Sequence, residues 1–271
     1  MPHTPRRTLL QALGASPLGL VLPAAADQPA TQGATRTFVL VHGMFGGGWV
    51  WRVVAPMLRR LGHEVHTPTL TGLGERSHLL SAQITIDTHI EDICNVLDTN
   101  DLTNVTLVAH SYGGMVATGV ADRRRARLRR LIYLDALLPR DGETGFDLLP
   151  PGMADLRRRA AATNGGGVAF PVPDASAVPL PADHPMRDWF IAHLRPHPLG
   201  TYDTPVRLTA PIGAGLPVAY VAYEGPPAPS IEPSRQRARA QSHWTHDTLP
   251  VPHDAEIANP DQVVSVLTRY G

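Results

Sequence analysis

Short runs of β-branched and apolar residues alternate along this chain with stretches in which apolar residues recur at helical spacing. The runs are typical of buried strands, and the stretches are typical of amphipathic helices that face a core. Strands are predicted over residues 36–42, 64–70, 105–109, 131–136, 216–223 and 245–249, and helices over residues 51–61, 88–97, 115–120, 234–241 and 257–270. Asp87 is the predicted N-cap of the second helix. Strands that alternate with helices predict an α/β fold, in which a mostly parallel sheet carries helices on both faces.

The alternation is interrupted over about residues 137–215, where proline and glycine punctuate the chain. Only residues 153–161 and 183–194 look helical there. An insertion between two strands of a regular alternation predicts a cap over a site at the sheet edge, and substrate specificity is expected to lie in it. Its aromatic side chains would suit an apolar pocket and would equally suit packing of the cap helices; they are Trp189, Phe190, Phe146 and Phe170.

The composition fits one large domain without a nucleic-acid partner. A chain of 271 residues with 43% hydrophobic and 18% charged residues can bury a full core. Its 24 basic and 24 acidic residues give a formal net charge of +0, which argues against nucleic acid and an anionic membrane as partners. The basic run at residues 123–130 falls at a predicted helix end and is interpreted as solvated surface. No spacing of His, Cys or Asp suggests a metal site, and Cys94 alone cannot form an internal disulfide.

The first 26 residues have the features of an export signal. Arg6 and Arg7 form a twin-arginine pattern, residues 9–23 are uncharged and mostly apolar, and three alanines precede Asp27. We therefore expect a twin-arginine-type signal peptide over residues 1–26, an α/β domain over residues 27–271, and a periplasmic or secreted location in a bacterium. The apolar run is shorter than the ~20 residues that a stable membrane anchor needs. The alternative is a plain N-terminal tail.

Ser111 stands where the third predicted strand gives way to a helix. Residues 109–113 read A-H-S-Y-G, which matches the nucleophile-elbow pattern G-x-S-x-G except that alanine replaces the first glycine. A serine on so tight a turn holds its hydroxyl above the sheet edge, and the following helix directs amide N–H groups at an oxyanion formed there. Ser111 is therefore the candidate nucleophile, the alternative being an ordinary turn serine.

A glycine-dense loop follows the first predicted strand, where residues 42–49 read H-G-M-F-G-G-G-W. Glycines let backbone N–H groups approach a ligand closely. In a hydrolase this loop would supply one oxyanion donor, the amide of Met44, and the amide of Tyr112 would supply the other. A phosphate-binding loop is excluded because neither G-K-[ST] nor G-x-G-x-x-G spacing is present. His42 is expected to brace the loop by hydrogen bonding.

The serine corner, the glycine loop, the inserted cap and a late histidine, in this order, resemble the α/β-hydrolase fold superfamily. More closely, the chain is similar to the bacterial esterases related to plant hydroxynitrile lyases and methylesterases. The matching stretches are residues 42–51, 68–78, 87–90, 110–115, 133–136 and 195–202. The resemblance implies a serine hydrolase of the carboxylesterase type that cleaves small-molecule carboxylic esters through an acyl-enzyme intermediate, with a catalytic triad, an oxyanion hole and no cofactor.

The base and acid of the triad follow from this resemblance. A serine needs an adjacent base at neutral pH, and the base should lie on the loop after the last strand, where His253 stands. In most relatives the acid follows the strand at residues 218–223, where only Glu224 is available. Some lipases of the fold take their acid from the strand after the nucleophile helix, where Asp135 stands at a separation from Ser111 that suits one helix plus one strand. Asp135 is preferred over Glu224, the alternative for Asp135 being a structural carboxylate.

Two other functions belong to the same resemblance. Hydroxynitrile lyases add a lysine directly beside the base histidine, but here the neighbours of His253 are Pro252 and Asp254, and the chain contains no lysine. A non-catalytic ligand-binding protein on this fold would not need a serine and a histidine in these positions. Cyanide release from mandelonitrile would support the first alternative, and an unreactive Ser111 the second.

Overall fold

The computed structural model of the protein describes residues 34–226 and 228–271. The predicted signal peptide over residues 1–26 lies outside the described residues and stays a prediction. Within the two described ranges, no helix combines the length and the apolar character needed to cross a bilayer.

A parallel sheet organises the described part of the chain. The strands are β1 (Thr37–Val41), β2 (Glu64–His66), β3 (Val105–His110), β4 (Leu128–Leu134), β5 (Ala169–Phe170), β6 (His197–Pro198), β7 (Val218–Tyr223) and β8 (Thr245–Leu249). Six of them form one sheet in the order β2-β1-β3-β4-β7-β8, in which every neighbouring pair is parallel. β5 and β6 form a separate antiparallel pair within the segment between β4 and β7. The predicted fold class, a mostly parallel sheet with helices on both faces, is confirmed.

The helices connect these strands. They are α1 (Val54–Arg60), α2 (Ile86–Thr99), α3 (Gly113–Arg123), α4 (Met153–Asn164), α5 (Arg187–His193), α6 (Gly200–Asp203), α7 (Glu232–Arg239), α8 (Ala255–Ala258) and α9 (Pro260–Tyr270). The predicted cap at about residues 137–215 corresponds to the segment that carries α4, β5, α5, β6 and α6; we call it the inserted segment.

Two helix ends differ from the prediction. Asp87 does not cap α2, because the N-cap is Thr85, two residues earlier, which forms a reciprocal capping box with Thr88; in it the Thr85 N–H donates to Thr88 Oγ1 at 3.2 Å. Asp87 lies in the first turn instead and pairs with Arg123. The predicted closing helix over residues 257–270 is divided into α8 and α9, because Pro260 has no N–H to continue a helix and is suited only to begin one.

The sheet buries both faces, as the near-continuous apolar strands require. Alternate side chains of β1 point to opposite faces: Phe38 and Leu40 join a core with α1 and α9, and Val39 and Val41 join a core with α2 and α3. Each such fully buried side chain stabilises the fold by roughly 1.5–3 kcal/mol.

The strand order places a crevice at the carboxyl ends of β1 and β3. The chain passes from β1 to β2 on one side and from β3 to β4 on the other, so the connections that leave these two adjacent strands diverge. Ligands of open α/β sheets bind at such a switch point. The glycine loop after β1 and Ser111 after β3 both lie there.

Candidate active site

Ser111 forms the sharp turn between β3 and α3. Its φ of 54° lies in the left-handed region, which costs a residue with a Cβ roughly 1–2 kcal/mol. Backbone hydrogen bonds hold the turn: the Ser111 N–H donates to the carbonyl of Leu134 at 3.2 Å, and the Ser111 carbonyl accepts from the N–H of Leu137 at 2.9 Å. A strained backbone that its surroundings enforce is a frequent feature of functional sites.

Small neighbours make this turn possible. A Cβ at Gly113 would lie 2.8 Å from the carbonyl oxygen of His42, and a Cβ at Gly43 would lie 3.0 Å from the Cβ of Ser111. Ala109 is fully buried within β3 between β1 and β4, where its single methyl group is accommodated. The alanine that replaces the first glycine of the elbow pattern is therefore compatible with the turn.

His253 bridges Ser111 and Asp135. It lies in the loop between β8 and α8, with its Nε2 2.9 Å from Ser111 Oγ and its Nδ1 2.8 Å from Asp135 Oδ2. Because an ionised carboxylate only accepts hydrogen bonds, Nδ1 carries the proton and donates to Asp135, which leaves Nε2 to accept from the serine hydroxyl. In this orientation the imidazole can remove the proton of Ser111.

Asp135 is the first residue after β4, and its carboxylate is fully buried. Arg235 of α7 donates two hydrogen bonds to this carboxylate, from Nε to Oδ1 at 2.7 Å and from Nη2 to Oδ2 at 2.9 Å. The backbone N–H of Tyr223 donates to Oδ1 at 3.3 Å. A charge removed from water requires such partners, so these donors, together with His253, allow a carboxylate to remain ionised here.

Glu224, the alternative acid, does not reach the site. Its side chain is exposed, and its backbone N–H donates to the carbonyl of Leu249 at 2.8 Å. The structure thus brings Asp135, and not Glu224, to His253. Arg235 was missed by the sequence analysis, because its contact with Asp135 joins positions 100 residues apart and no local pattern marks it.

Burial and pairing shift the two titrating groups in opposite directions. Burial alone would raise the pKa of Asp135, but the hydrogen bonds from His253 and Arg235 outweigh it and lower this pKa to about 2. Burial alone would lower the pKa of His253, but the hydrogen bond to Asp135 and the negative charge of that carboxylate raise it above its ordinary value. Asp135 is therefore ionised at neutral pH and stabilises a proton on His253.

The two candidate oxyanion donors are the backbone N–H of Tyr112, the residue after the serine, and the backbone N–H of Met44, in the loop after β1. Among the described residues, the backbone N–H groups of Met44 and Tyr112 donate to no protein acceptor. The turn of the loop depends on Phe45, whose φ is 63°, and on a 2.7 Å hydrogen bond from the Gly46 N–H to the Met44 carbonyl. Two N–H groups left open near Ser111 have the property that an oxyanion hole requires.

His42 braces the glycine loop, as the sequence predicts. Its Nε2 accepts from the backbone N–H of Leu70 at 3.1 Å, so Nδ1 carries the proton and donates to the Gly43 carbonyl at 2.8 Å. Burial lowers the pKa of His42 to about 4, which keeps the ring in the neutral form that these two bonds need.

Tyr112 has a second role, which the sequence analysis missed. His89 of α2 donates from Nε2 to the carbonyl of Thr71 at 2.8 Å, and its Nδ1 accepts from the Tyr112 hydroxyl at 2.8 Å. The residue that carries one candidate oxyanion amide is thereby anchored by its own side chain.

A second buried acid–imidazole pair lies beside His253 and was also missed. The ring centre of His110 is 4.7 Å from that of His253, and His110 Nδ1 is 3.7 Å from Glu256 Oε2. The hydroxyl of Tyr223 donates to Glu256 Oε1 at 3.1 Å. Burial lowers the pKa of His110 to about 3 and raises that of Glu256 to about 8, so both are predominantly neutral at pH 7. His110 therefore packs beside the imidazole of His253 without placing another full charge next to it.

A cavity of about 300 Å³ opens onto Ser111 and His253. The inserted segment contributes apolar side chains to its wall, among them Val178, Phe190 and Leu194. Of the four aromatic residues considered from the sequence, Phe190 lines the cavity. The other three pack elsewhere: Phe146 and Phe170 against Tyr202, and Trp189 against His193. In the described ranges, no group of three or more His, Cys, Asp or Glu side chains is arranged to hold a metal ion.

Comparison with known proteins shows what the chain is similar to. The chain is 36% identical over 247 residues to the carbendazim hydrolyzing esterase of Nocardioides sp. (strain SG-4G), an alignment that covers 86% of this chain and 99% of that protein. It is 28% identical over 140 residues to the alpha-hydroxynitrile lyase of Arabidopsis thaliana, covering 49% of this chain and 54% of the lyase. An extracellular alpha/beta-hydrolase from a Paenibacillus species has the same fold, with a TM-score of 0.73 and 21% identity over 87% of this chain and 99% of its own.

The resemblance inferred from the motifs is confirmed by these relatives. A family model described as the alpha/beta hydrolase family matches residues 38–266, which include both sheet edges and every residue of the candidate site. The chain belongs to the alpha/beta hydrolase family.

Proposed function

We propose that the protein is a serine hydrolase that cleaves carboxylic esters through an acyl-enzyme intermediate. The observation that carries the proposal is the continuous hydrogen-bonded chain from Ser111 Oγ through His253 to Asp135, with contacts of 2.9 and 2.8 Å. The 36% identity to an esterase over most of both chains supports ester hydrolysis as the reaction.

In this mechanism His253 accepts the hydroxyl proton of Ser111 while Oγ attacks the ester carbonyl carbon. The oxygen of the carbonyl becomes negative and is held by the amides of Met44 and Tyr112. Asp135 keeps the imidazole in the correct tautomer and stabilises the imidazolium. His253 then gives its proton to the departing alcohol. A water molecule next gives a proton to His253 and attacks the acyl carbon, and His253 returns that proton to Ser111 Oγ as the acid is released.

The test is the replacement of Ser111 by alanine. Ser111→Ala should lower the hydrolysis of p-nitrophenyl acetate by about 10⁴-fold or more, because the nucleophile is lost. A fluorophosphonate probe should label the parent and not this variant. Ser230 provides a matched control, since it borders the same cavity but has no imidazole partner among the described residues, so Ser230→Ala should still be labelled. Turnover by Ser111→Ala at the parental rate contradicts the proposal.

The same experiments separate the alternatives. A ligand-binding protein without catalysis needs no activated serine, and its Ser111 would resist the probe. A hydroxynitrile lyase would release cyanide from mandelonitrile, although the chain has no lysine to place beside His253. Carbendazim is a first substrate to try, because the Nocardioides relative is named for hydrolysing it.

A further inference from the structure

Arg157 of α4 places a cationic group in the wall of the cavity that opens onto Ser111. Its Nη1 lies 3.4 Å from the sulfur of Met44, and its guanidinium lies 5.6 Å from the centre of the Tyr202 ring. These contacts hold the cation next to the loop that carries one of the two candidate oxyanion amides. Cation–π contact with a tyrosine face favours this placement without neutralising the charge.

No carboxylate lies within ion-pair distance of Arg157 in the part of the chain that the structure describes. Its neighbour on the same helix behaves differently: Arg158 pairs with Asp203 at 2.6 Å and covers the face of Phe146. A guanidinium that lines the cavity and lacks a protein anion is suited to bind an anion from a ligand, since its fork of N–H groups matches a carboxylate.

The acidic residues of the cavity belong to another part of its wall. Asp254 and Glu256 come from the start of α8, where Glu256 contacts His110 and Tyr223. Burial raises the pKa of both carboxyl groups, that of Glu256 to about 8, so this part of the wall is less negative at neutral pH than its residue types imply. These two residues therefore repel a ligand anion bound next to Arg157 less strongly than two ionised carboxylates would.

We propose that Arg157 forms a carboxylate subsite and that the preferred substrates are monoesters of dicarboxylic acids. This inference rests on the proposed ester hydrolysis and adds the class of acyl group. The free carboxylate of the substrate binds the guanidinium while the ester carbonyl lies at Ser111.

The distance to the oxyanion loop limits the length of the acyl chain. The sulfur of a methionine lies at most roughly 5 Å from its own amide nitrogen, so the Met44 amide and the Arg157 guanidinium are no more than about 8 Å apart. This upper limit is compatible with a spacer of roughly three carbon atoms or fewer between the ester and the carboxylate. Glutarate monoesters are therefore the longest that we expect to fit, and they are used in the test.

The experiment compares two esters of nearly equal shape. Monomethyl glutarate carries the carboxylate, and methyl 5-methylhexanoate replaces it with an isopropyl group. In the parent protein, kcat/KM should favour the glutarate ester by about tenfold, the magnitude of a charge-assisted hydrogen bond. This preference should decrease as salt is added, because salt screens the attraction.

Two variants of α4 decide the role of Arg157. Arg157→Gln should abolish the preference, whereas Arg158→Gln makes the same change in net charge on the same helix and should retain it. Thermal melting and fluorophosphonate labelling establish that each variant is folded with a reactive serine. A parent protein without preference, or an equal loss in both variants, overturns the subsite. Hydrolysis of the neutral ester, and its loss in Ser111→Ala, tests the proposed function separately.

Discussion

Arg235 is expected to set the pH range in which His253 acts as a base. Both residues bind the same oxygen of Asp135, at 2.9 and 2.8 Å, so their nitrogens are no more than about 6 Å apart. At an effective dielectric constant of about 20, two unit charges at that distance repel by roughly 3 kcal/mol, which corresponds to about two pKa units. The guanidinium therefore opposes the imidazolium that Asp135 favours.

Loss of this cation should move the acid limb of the rate profile upwards. In the parent, kcat/KM should fall as pH decreases through the pKa of His253, which lies above 6.5, because only the neutral imidazole can accept a proton. In Arg235→Met the same limb should lie roughly one to two pH units higher, because the repulsion between the guanidinium and the imidazolium is absent. The carboxylate of Asp135 stays ionised in the assay range, because its pKa starts at about 2.

The assay is kcat/KM for p-nitrophenyl acetate from pH 5 to about pH 10, buffered at constant ionic strength. Arg235→Lys keeps the positive charge but loses the two hydrogen bonds of the guanidinium to Asp135. Its acid limb should therefore stay near that of the parent while its rate decreases. Arg237 lies on the same helix and pairs with Glu143, so Arg237→Met controls for the loss of one positive charge. An acid limb in Arg235→Met that coincides with those of the parent and Arg237→Met would refute the electrostatic reasoning.

Two further predictions concern the acid and the export signal. Asp135→Asn should lose about 10⁴ in kcat, since the imidazole of His253 loses the partner that fixes its tautomer, whereas Glu224→Gln should match the parent. Equal losses in both variants, measured with the same ester, would contradict this assignment. Replacement of Arg6 and Arg7 by lysine should retain the protein in the cytoplasm if a twin-arginine signal directs it outwards. Cell fractionation with activity measured in each fraction tests this, and unchanged export of the variant would reject that signal.

Local patterns predicted the fold and Ser111, and the resemblance to the α/β-hydrolase fold predicted the base and the acid. Alternating strands and helices need only short-range periodicity to be recognised, and the elbow around Ser111 is marked by small residues at fixed offsets. His253 and Asp135 were predicted from the resemblance to α/β hydrolases, in which the base and the acid follow particular strands whose carboxyl ends meet at one edge of the sheet. The choice of acid stayed open at the level of sequence, because Glu224 also follows a strand; in the structure the Glu224 side chain is exposed and Asp135 binds His253.

The remaining parts of the site depend on contacts between distant positions. Arg235 reaches Asp135 across 100 residues of sequence, and Glu256 reaches Tyr223 across 33. Neither contact leaves a period or motif in the chain. The capping of α2 by Thr85 rather than Asp87 has a different cause: several residues near a helix start can serve as cap, and the reciprocal bond with Thr88 decides among them.

The backbone at Ser111 and Asp135 links the fold to the proposed chemistry. Each is the first residue after one of two adjacent strands, and the pairing of His110 with Leu134 sets them side by side at one sheet edge. Both have a positive φ, 54° and 44°, so the chain turns away sharply after both strands. Such strain costs roughly 1–3 kcal/mol at each position and persists only where the surroundings enforce it. An ordinary turn would leave the hydroxyl and the carboxylate in line with their strands, whereas these two turns bring both groups to the single imidazole that joins them.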